Sequence, residues 1–297
     1  MSSKIEFYKN RSIGDRFSVA FDFLKQNWKA LYKNILIGGL PLAIIMGYLI
    51  AQVSGVRPVN VSDLSRFLLF YALLIIVSFV TNIYLSSMTG AALFHYDRDQ
   101  LSETTVWNDL KDTFFRFAGK TALISILVII PIIIIAVIFA AILGFSVGFT
   151  MGGSNVGAIL LGFLIILFLF GIIIALAPSL SISYYPAYFS GKTSIESIII
   201  AFKLGFKNWG SLFVALLLAG IVILVVSIVF SLPYEVVTLF SQGRLSILSY
   251  ILSTLSAIGT LLTTPIIIVI FAFQYFSIVE REEGVSLQSQ INEFENL

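Results

Sequence analysis

Residues 12–33 read SIGDRFSVAFDFLKQNWKALYK and run directly into the apolar segment 34–53. The pattern returns 181 positions later, where Asn27-Trp28 is matched by Asn208-Trp209. A weaker copy lies between them at residues 106–120, and adding 92 to its numbers aligns Phe117 with Trp209. Because similarity at a fixed period indicates a repeated structural unit, we predict three units, over approximately residues 12–99, 102–191 and 194–282.

Each of these three sequence repeats is predicted to begin with an amphipathic helix. Apolar residues recur on one helical face in all three copies: Phe17, Phe21, Leu24 and Trp28; Val106, Leu110, Phe114 and Phe117; Ile198, Phe202, Phe206 and Trp209. Aromatic and Lys side chains together are typical of a helix in the lipid headgroup region. We expect in-plane helices with interfacial anchors at Trp28, Phe117, Trp209, Lys25, Lys29 and Lys207. The alternative is that these segments extend the following span and pack on protein.

The composition indicates an integral membrane protein. Of 297 residues, 58% are hydrophobic and 11% are charged, whereas soluble domains contain about 25% charged residues. A net charge of +2 is too small to indicate a nucleic-acid partner, and the absence of cysteine excludes disulfides and Cys-ligated metals. The first residues contain no apolar core before a cleavage site, so we expect no cleaved signal peptide.

Six segments are apolar over the roughly 20 residues that a helical span requires. They are residues 34–53, 67–94, 121–145, 157–185, 211–230 and 247–276. Gly148, Gly152 and Gly153 predict a break between the third and fourth spans, at residues 146–156. Counts of five spans, or of seven if residues 233–240 enter the membrane, are the alternatives. We predict an all-α polytopic protein with a single membrane domain over residues 1–282 and a polar tail at 283–297.

The basic residues predict the orientation of the spans, because cytoplasmic segments are enriched in Lys and Arg. With six spans, 15 Lys and Arg residues fall on the side of the termini and three fall on the other side, namely Arg57, Arg66 and Arg244. Both termini are therefore expected in the cytoplasm.

Hydroxyl and amide side chains form stripes on the even-numbered spans. The second span carries Ser78, Asn82, Ser86 and Thr89, the fourth carries Ser179 and Ser183, and the sixth carries Ser253, Ser256, Thr260 and Thr263. Polar groups in a membrane face other helices or water. We expect the even-numbered spans to meet centrally, with the second and sixth stripes facing each other. These stripes are candidates for helix contacts or for a polar-lined cavity.

Residues that could perform chemistry are few. His95 is the sole histidine and lies at the end of the second predicted span, where a surface position in the headgroup region is expected. No Gly-x-Ser-x-Gly elbow accompanies Ser86 or Ser87. No Asp, Glu, Lys or Arg lies deep in a predicted span, which argues against an ion-coupled transporter. We predict no catalytic residue, no cofactor and no metal site.

The aromatic helix with Asn-Trp, running into an apolar span and recurring later, resembles the bacterial membrane-domain family named after glycerophosphodiester phosphodiesterases, together with its relatives of unknown function. The resemblance covers most of the chain. It implies a multi-pass protein of the bacterial inner membrane. Some members carry an attached catalytic domain, for which this chain lacks the histidines and the acidic metal ligands.

Two functions follow as expectations. The first is a non-enzymatic accessory or scaffolding subunit of a larger cell-envelope complex, or a protein that organises the bilayer. Its partners would be membrane lipids and other membrane subunits, and not nucleic acid. The second is a passive transporter or channel for a lipid-like or neutral solute, through a cavity between the even-numbered spans. An intramembrane enzyme is the third and weakest reading.

The orientation can be tested with a reporter fused after Leu297. Because the basic residues place this end in the cytoplasm, we expect a cytoplasm-dependent reporter to be active and a periplasm-dependent reporter to be silent. The opposite pair of signals would refute the orientation.

Overall fold

The computed structural model describes residues 4–56, 60–102, 105, 107–150, 156–241 and 246–286, and within them it contains helices and no strands. The helices are α1 (Ile13–Gly55), α2 (Val61–Asp97), α3 (Trp107–Thr150), α4 (Val156–Leu180), α5 (Tyr185–Phe189), α6 (Ser194–Lys207), α7 (Trp209–Phe230), α8 (Leu232–Phe240) and α9 (Ile247–Glu283). Among the described residues, six helices are long and apolar enough to cross a membrane. The predicted all-α, six-span class is therefore confirmed.

The chain divides into two compact units. Unit 1 contains Met1–Gly119 and Val214–Leu297, and unit 2 contains Lys120–Phe213. The boundaries of the predicted repeats fall inside these units. The threefold repeat and the single domain over residues 1–282 stay predictions, and the predicted tail at 283–297 lies mostly outside the described residues.

Short polar side chains define the helix starts. The Ser12 hydroxyl accepts a hydrogen bond from the Asp15 backbone N–H, and the Asn60 amide oxygen accepts one from the Asp63 N–H. These bonds satisfy backbone donors that have no partner within the helix. At the far end of the chain, α9 stops at Gly284, whose φ of 60° is readily adopted by glycine.

The predicted leading helices differ among the three copies. In the first copy, residues 12–33 and the following span form one 43-residue helix, α1. At 1.5 Å per residue it is about 65 Å long, roughly twice the hydrocarbon thickness of a bilayer. The second copy is likewise continuous, in α3. A separate leading helix is present only in the third copy, where α6 ends at Lys207 and α7 begins at Trp209. The first two copies thus match the alternative of an extended span.

Two other boundaries differ from the predicted ones. The fourth span ends at Leu180 rather than at residue 185, because a turn at residues 181–184 precedes α5 and its Pro186. Helix α3 continues to Thr150, into the predicted break at residues 146–156, and residues 151–155 lie outside the described chain. The nine-residue α8, at about 14 Å, is too short to provide a seventh span.

The main contact of unit 1 is an antiparallel seam between α1 and α9. Small residues recur at every fourth position of α1 and are all buried along this seam: Gly39, Ala43, Gly47 and Ala51. A Cβ atom added at Gly47 would lie 2.5 Å from the Cα atom of Thr254. Small residues let helix backbones approach closely in membranes, where dispersion contacts replace the hydrophobic effect. The Tyr32 hydroxyl also donates to the Leu262 carbonyl at 2.8 Å across the seam.

An aromatic cluster closes the end of unit 1 where the N-terminal segment lies. Phe7 is buried and stacks on Phe276 and Tyr96, with ring centroids 4.7 and 5.7 Å apart. Phe23 of α1 meets Tyr96 edge to face at 5.0 Å. Such aromatic pairs contribute about 0.5–1.5 kcal/mol each beyond their buried area. The cluster holds the N-terminal segment against the last turns of α2 and α9.

A buried guanidinium reinforces this end. Arg16 is 3% exposed, and its Nη1 donates to Oε1 of Gln274 at 3.0 Å. Its Nε donates to the Arg11 carbonyl at 2.9 Å. The Ser277 hydroxyl accepts from the Arg11 backbone N–H at 3.0 Å. Residues far apart in sequence are therefore joined at one end of the seam.

Unit 2 is built around the chain reversal after α4. The Ser197 hydroxyl of α6 donates to the Ser183 carbonyl at 2.7 Å and accepts from the Ala187 N–H at 2.9 Å. The Lys120 ammonium donates to the Ala187 carbonyl at 2.6 Å. Side chains thus satisfy the backbone groups that the turn leaves without helical partners.

The α1–α9 seam predicts a strong effect of bulk at Gly47. Gly47→Leu would drive its side chain into the α9 backbone, so we expect a loss of at least about 2 kcal/mol of unfolding free energy. Gly220→Leu is the matched control, because no atom lies within 4 Å of its added Cβ. Unfolding of the detergent-solubilised protein measures both variants. Equal stabilities would contradict the seam.

Candidate functional site

A groove lined by hydroxyl groups lies between α7 and α9 in the spanning part of unit 1. Its volume is about 250 Å³. Six of its lining residues bear hydroxyl groups: Ser227, Ser231, Ser256, Thr260, Thr263 and Thr264. The remaining wall is apolar and includes Ile223, Phe230 and Ile267. A Cβ atom on Gly259 would lie 2.6 Å from the Phe230 Cβ atom, so this glycine allows the two helices to meet.

The hydroxyl groups of the groove are used unequally. The Ser231 and Ser256 Oγ atoms are 2.9 Å apart and bond across the two helices. Thr263 donates to the carbonyl of Gly259, at 2.7 Å within its own helix. No hydrogen bond links the hydroxyls of Ser227, Thr260 and Thr264 to other residues of the described chain. These three groups are available to a ligand.

The groove carries no ionisable side chain among its lining residues. A charged ligand that entered the groove would lose its hydration without gaining an opposite charge, at a cost of several kcal/mol. Hydroxyl groups both donate and accept hydrogen bonds. The arrangement can thus hold an uncharged group that itself donates or accepts, and it offers no nucleophile–base pair for catalysis.

The groove only partly matches the predicted polar stripes. It uses Ser256, Thr260 and Thr263 of the sixth span, but it faces the fifth span, α7, rather than the second. Ser253 is fully buried and donates to the Tyr250 carbonyl in its own helix. The expectation that the second and sixth stripes line one cavity is therefore wrong for the groove, although α2 and α9 do contact each other.

The stripe on α2 divides into a buried and an exposed part. Ser86 and Thr89 are buried, as expected for a helix-contact face. Ser78 is half-buried and Asn82 is exposed, which corrects the expectation that Asn82 faces the interior. Helix α2 turns its C-terminal half toward the core, while its N-terminal half remains exposed at Leu68 and Ile76.

Asn82 differs from other asparagines in the helices. The side-chain amides of Asn27, Asn34 and Asn208 each donate to the carbonyl four residues earlier, at 2.9–3.0 Å. No such bond is formed by the Asn82 amide to any residue that the structure describes. An exposed amide in a spanning helix is therefore available to a partner.

In unit 2, the candidates Ser179 and Ser183 lie in helix contacts and not in a cavity. Both are buried. A Cβ atom on Gly205 of α6 would lie 2.5 Å from the Ser179 Cα atom, so α4 and α6 pack closely there. The Ser183 carbonyl accepts from Ser197, as described above. The Ser179 hydroxyl forms no hydrogen bond in the described chain, so a role of these two hydroxyls in joining helices stays a prediction.

The predicted interfacial anchors behave differently from one another. Trp28 is 56% exposed, and Lys25, Lys29 and Lys207 are exposed. Their role as interfacial anchors stays a prediction. Trp209 is half-buried, and its Nε1 donates to the Ala175 carbonyl at 3.1 Å.

Phe117 is not an interfacial anchor. It is fully buried and meets Phe94 edge to face at 5.6 Å. Leu110 and Phe114 of the same predicted stripe are buried too. The stripe of the second copy is therefore a protein contact, because other residues of unit 1 cover it, and its predicted lipid-facing role is wrong.

The pKa values of several titratable groups outside the spans are shifted by burial or by hydrogen bonding. Burial lowers the pKa of the Arg11 guanidinium and raises the pKa of the Tyr8 hydroxyl. A hydrogen bond from the Thr193 backbone N–H lowers the pKa of the Glu196 carboxyl, which completes the capping box of α6. None of these groups lies in the groove.

His95 lies beside a hydroxyl group near the end of α2. The His95 Nε2 atom lies 3.2 Å from the Thr113 hydroxyl. Among the described residues, no group of His, Asp and Glu side chains could hold a metal ion. The absence of catalytic, cofactor and metal sites stays a prediction.

Two features of the site were missed by the sequence reasoning. The groove draws on Ser227 and Ser231, which lie four residues apart near the end of the fifth span and were not singled out. The seam draws on the four-residue spacing of Gly39, Ala43 and Gly47. Both signals are present in the sequence, because small and hydroxylated residues at intervals of four mark helix contacts in membranes.

Comparisons of the chain with protein-family models, with curated proteins and with solved structures give no match. The resemblance to the membrane-domain family therefore stays a prediction.

Proposed function

We propose that this multi-pass membrane protein is a non-enzymatic accessory or scaffolding subunit of a larger membrane complex in the bacterial cell envelope. Both termini would lie in the cytoplasm and the spans in the inner membrane. Its relation to the family of glycerophosphodiester phosphodiesterase membrane domains is part of this proposal. The observation that carries the proposal is the exposed amide of Asn82 in α2.

A polar group that faces lipid without a partner is costly. An amide facing hydrocarbon without hydrogen bonds costs several kcal/mol. The Asn82 amide makes no hydrogen bond within the described chain. A spanning helix of another subunit, carrying an amide or hydroxyl side chain, would remove this cost. Such bonds between membrane helices contribute up to about 1–2 kcal/mol.

The surroundings of Asn82 support docking of a helix. Ser78 lies one turn away on the same face. The apolar residue Ile75, one turn before Ser78 on that face, is more than half exposed. Together these residues offer a polar pair beside an exposed aliphatic side chain, which is a composition expected of a membrane helix contact.

Purification in mild detergent tests this proposal. We expect stoichiometric partner proteins with the wild type and about 5- to 30-fold weaker retention with Asn82→Leu, which corresponds to about 1–2 kcal/mol of lost helix association. Because Asn82 is exposed, its substitution should leave the unfolding transition unchanged.

Val80→Leu is the matched control for this experiment, since Val80 is exposed on a different side of the same helix. It should retain the partners. A wild-type protein that purifies alone, or an Asn82→Leu variant that retains every partner, would contradict the proposal.

A second function is favoured by the groove between α7 and α9. A passive transporter or channel for a lipid-like or neutral solute requires polar groups that replace the solute's hydration without a fixed charge. The three available hydroxyls, Ser227, Thr260 and Thr264, supply such groups. The groove lies between the fifth and sixth spans rather than between even-numbered spans.

Flux in proteoliposomes tests this second function. We expect the wild type to accelerate the exchange of a fluorescent diacylglycerol between leaflets. The exchange is measured by a quencher added outside the vesicles. Thr260→Val should slow the exchange, because it removes a hydroxyl while preserving shape. Exchange no faster than in protein-free vesicles would eliminate this function.

A further inference from the structure

We propose that the groove between α7 and α9 binds a neutral lipid with a small uncharged hydroxyl headgroup, such as an acylglycerol. The inference rests on the groove of the second proposed function, but it requires binding only and no movement across the membrane. The groove would act as a lipid site whether or not partner subunits dock on α2.

The first step of the argument is the absence of charge. The lining residues include no acidic or basic side chain, and the predicted spans 211–230 and 247–276 contain none. A phosphate or ammonium headgroup would enter without a counter-charge and would lose its hydration. The site therefore favours an uncharged headgroup over the headgroup of a phospholipid.

The second step is the arrangement of the free hydroxyls. Thr260 and Thr264 lie four residues apart and share a face of α9, and Ser227 lies on the facing helix α7. Their hydroxyls can donate to and accept from the alcohol and ester oxygens of a ligand. The Ser231–Ser256 hydrogen bond closes one part of the groove between the same two helices.

The third step is the size of the groove and its apolar wall. The volume of about 250 Å³ is smaller than the roughly 300–1,000 Å³ of pockets for whole drug-sized ligands. It accommodates a headgroup and the first methylenes of a chain. Ile223 is 44% exposed and adjoins exposed Leu224, so an acyl chain can continue along the apolar surface of α7.

Photo-crosslinking tests the inference in the full-length protein. The probe is a diacylglycerol with a diazirine in one acyl chain, presented in phosphatidylcholine nanodiscs. The matched probe carries the same acyl chain on phosphatidylglycerol, which is anionic. We expect the neutral probe to label residues 223–231 and 256–267 preferentially, and unlabelled diacylglycerol in excess to compete. The anionic probe should label the exposed apolar surface without preference.

Two substitutions test the role of the hydroxyls. Ser227→Ala combined with Thr260→Val should weaken labelling in the groove about 10-fold, which equals about 1.4 kcal/mol and is close to one net hydrogen bond. Both residues are exposed, so the fold should be preserved, as the unfolding transition would verify. Ser65→Ala removes an exposed hydroxyl from α2 and should leave groove labelling unchanged.

The outcomes distinguish the ligand sources and the proposals. Competition by free glycerol as strong as by diacylglycerol would identify a polyol site and overturn the lipid assignment. Equal labelling by the anionic probe, or labelling spread evenly over all exposed helices, would also overturn it. Labelling without accelerated exchange between leaflets supports this inference and eliminates only the transport function. Accelerated exchange without groove labelling would support the transport function and overturn this inference.

Discussion

Close approach of the α1 and α9 backbones is the constraint on which unit 1 depends. In a lipid environment there is little hydrophobic gain when one apolar helix leaves lipid for another, so association needs short interatomic distances. Gly39 and Gly47 provide them, and Leu261 and Thr254 occupy the space that larger side chains would take. With the two backbones this close, the Tyr32 hydroxyl reaches the Leu262 carbonyl and Arg16 reaches Gln274. The aromatic cluster at Phe7 packs on Phe276, near the same end of α9 as Gln274.

The protein places its polar groups according to what each helix contacts. At the seam and in unit 2, hydroxyls bond to backbone carbonyls, as Ser253 and Ser197 do. Between α7 and α9 the packing is looser, and Ser227 and Thr260 remain without described partners. On α2 the amide of Asn82 is exposed. Tight packing does not satisfy every polar group, because the buried hydroxyls of Thr89 and Ser179 form no hydrogen bond in the described chain. The hydroxyls of the groove and the amide of Asn82 differ from these in being accessible to other molecules.

The helical class and the six spans could be predicted, because the length of an apolar segment is a direct requirement of bilayer thickness. The neighbour that covers each helix face could not be predicted. The same stripe pattern is exposed at Trp28 and fully buried at Phe117, since helical spacing shows that a face is apolar without showing its neighbour. The general rule that polar groups avoid lipid predicts an interior position for Asn82, which is exposed in the structure. The groove was only partly anticipated, because Ser227 and Ser231 form no long stripe of their own, and their role depends on facing Thr260.

The pairing of α1 with α9 also has consequences for biosynthesis. Arg16 and Gln274, which bond directly, are 258 residues apart in the chain. A ribosome that makes about 5–20 residues per second therefore delivers α1 to the membrane roughly 13–50 s before its permanent neighbour. During that interval the small-residue face of α1 is open to lipid, to insertion machinery or to helices of other nascent chains. A chain that stalls before α9 would leave the small-residue face of α1 uncovered. Membrane quality control would then have a defined surface by which to recognise the unfinished protein.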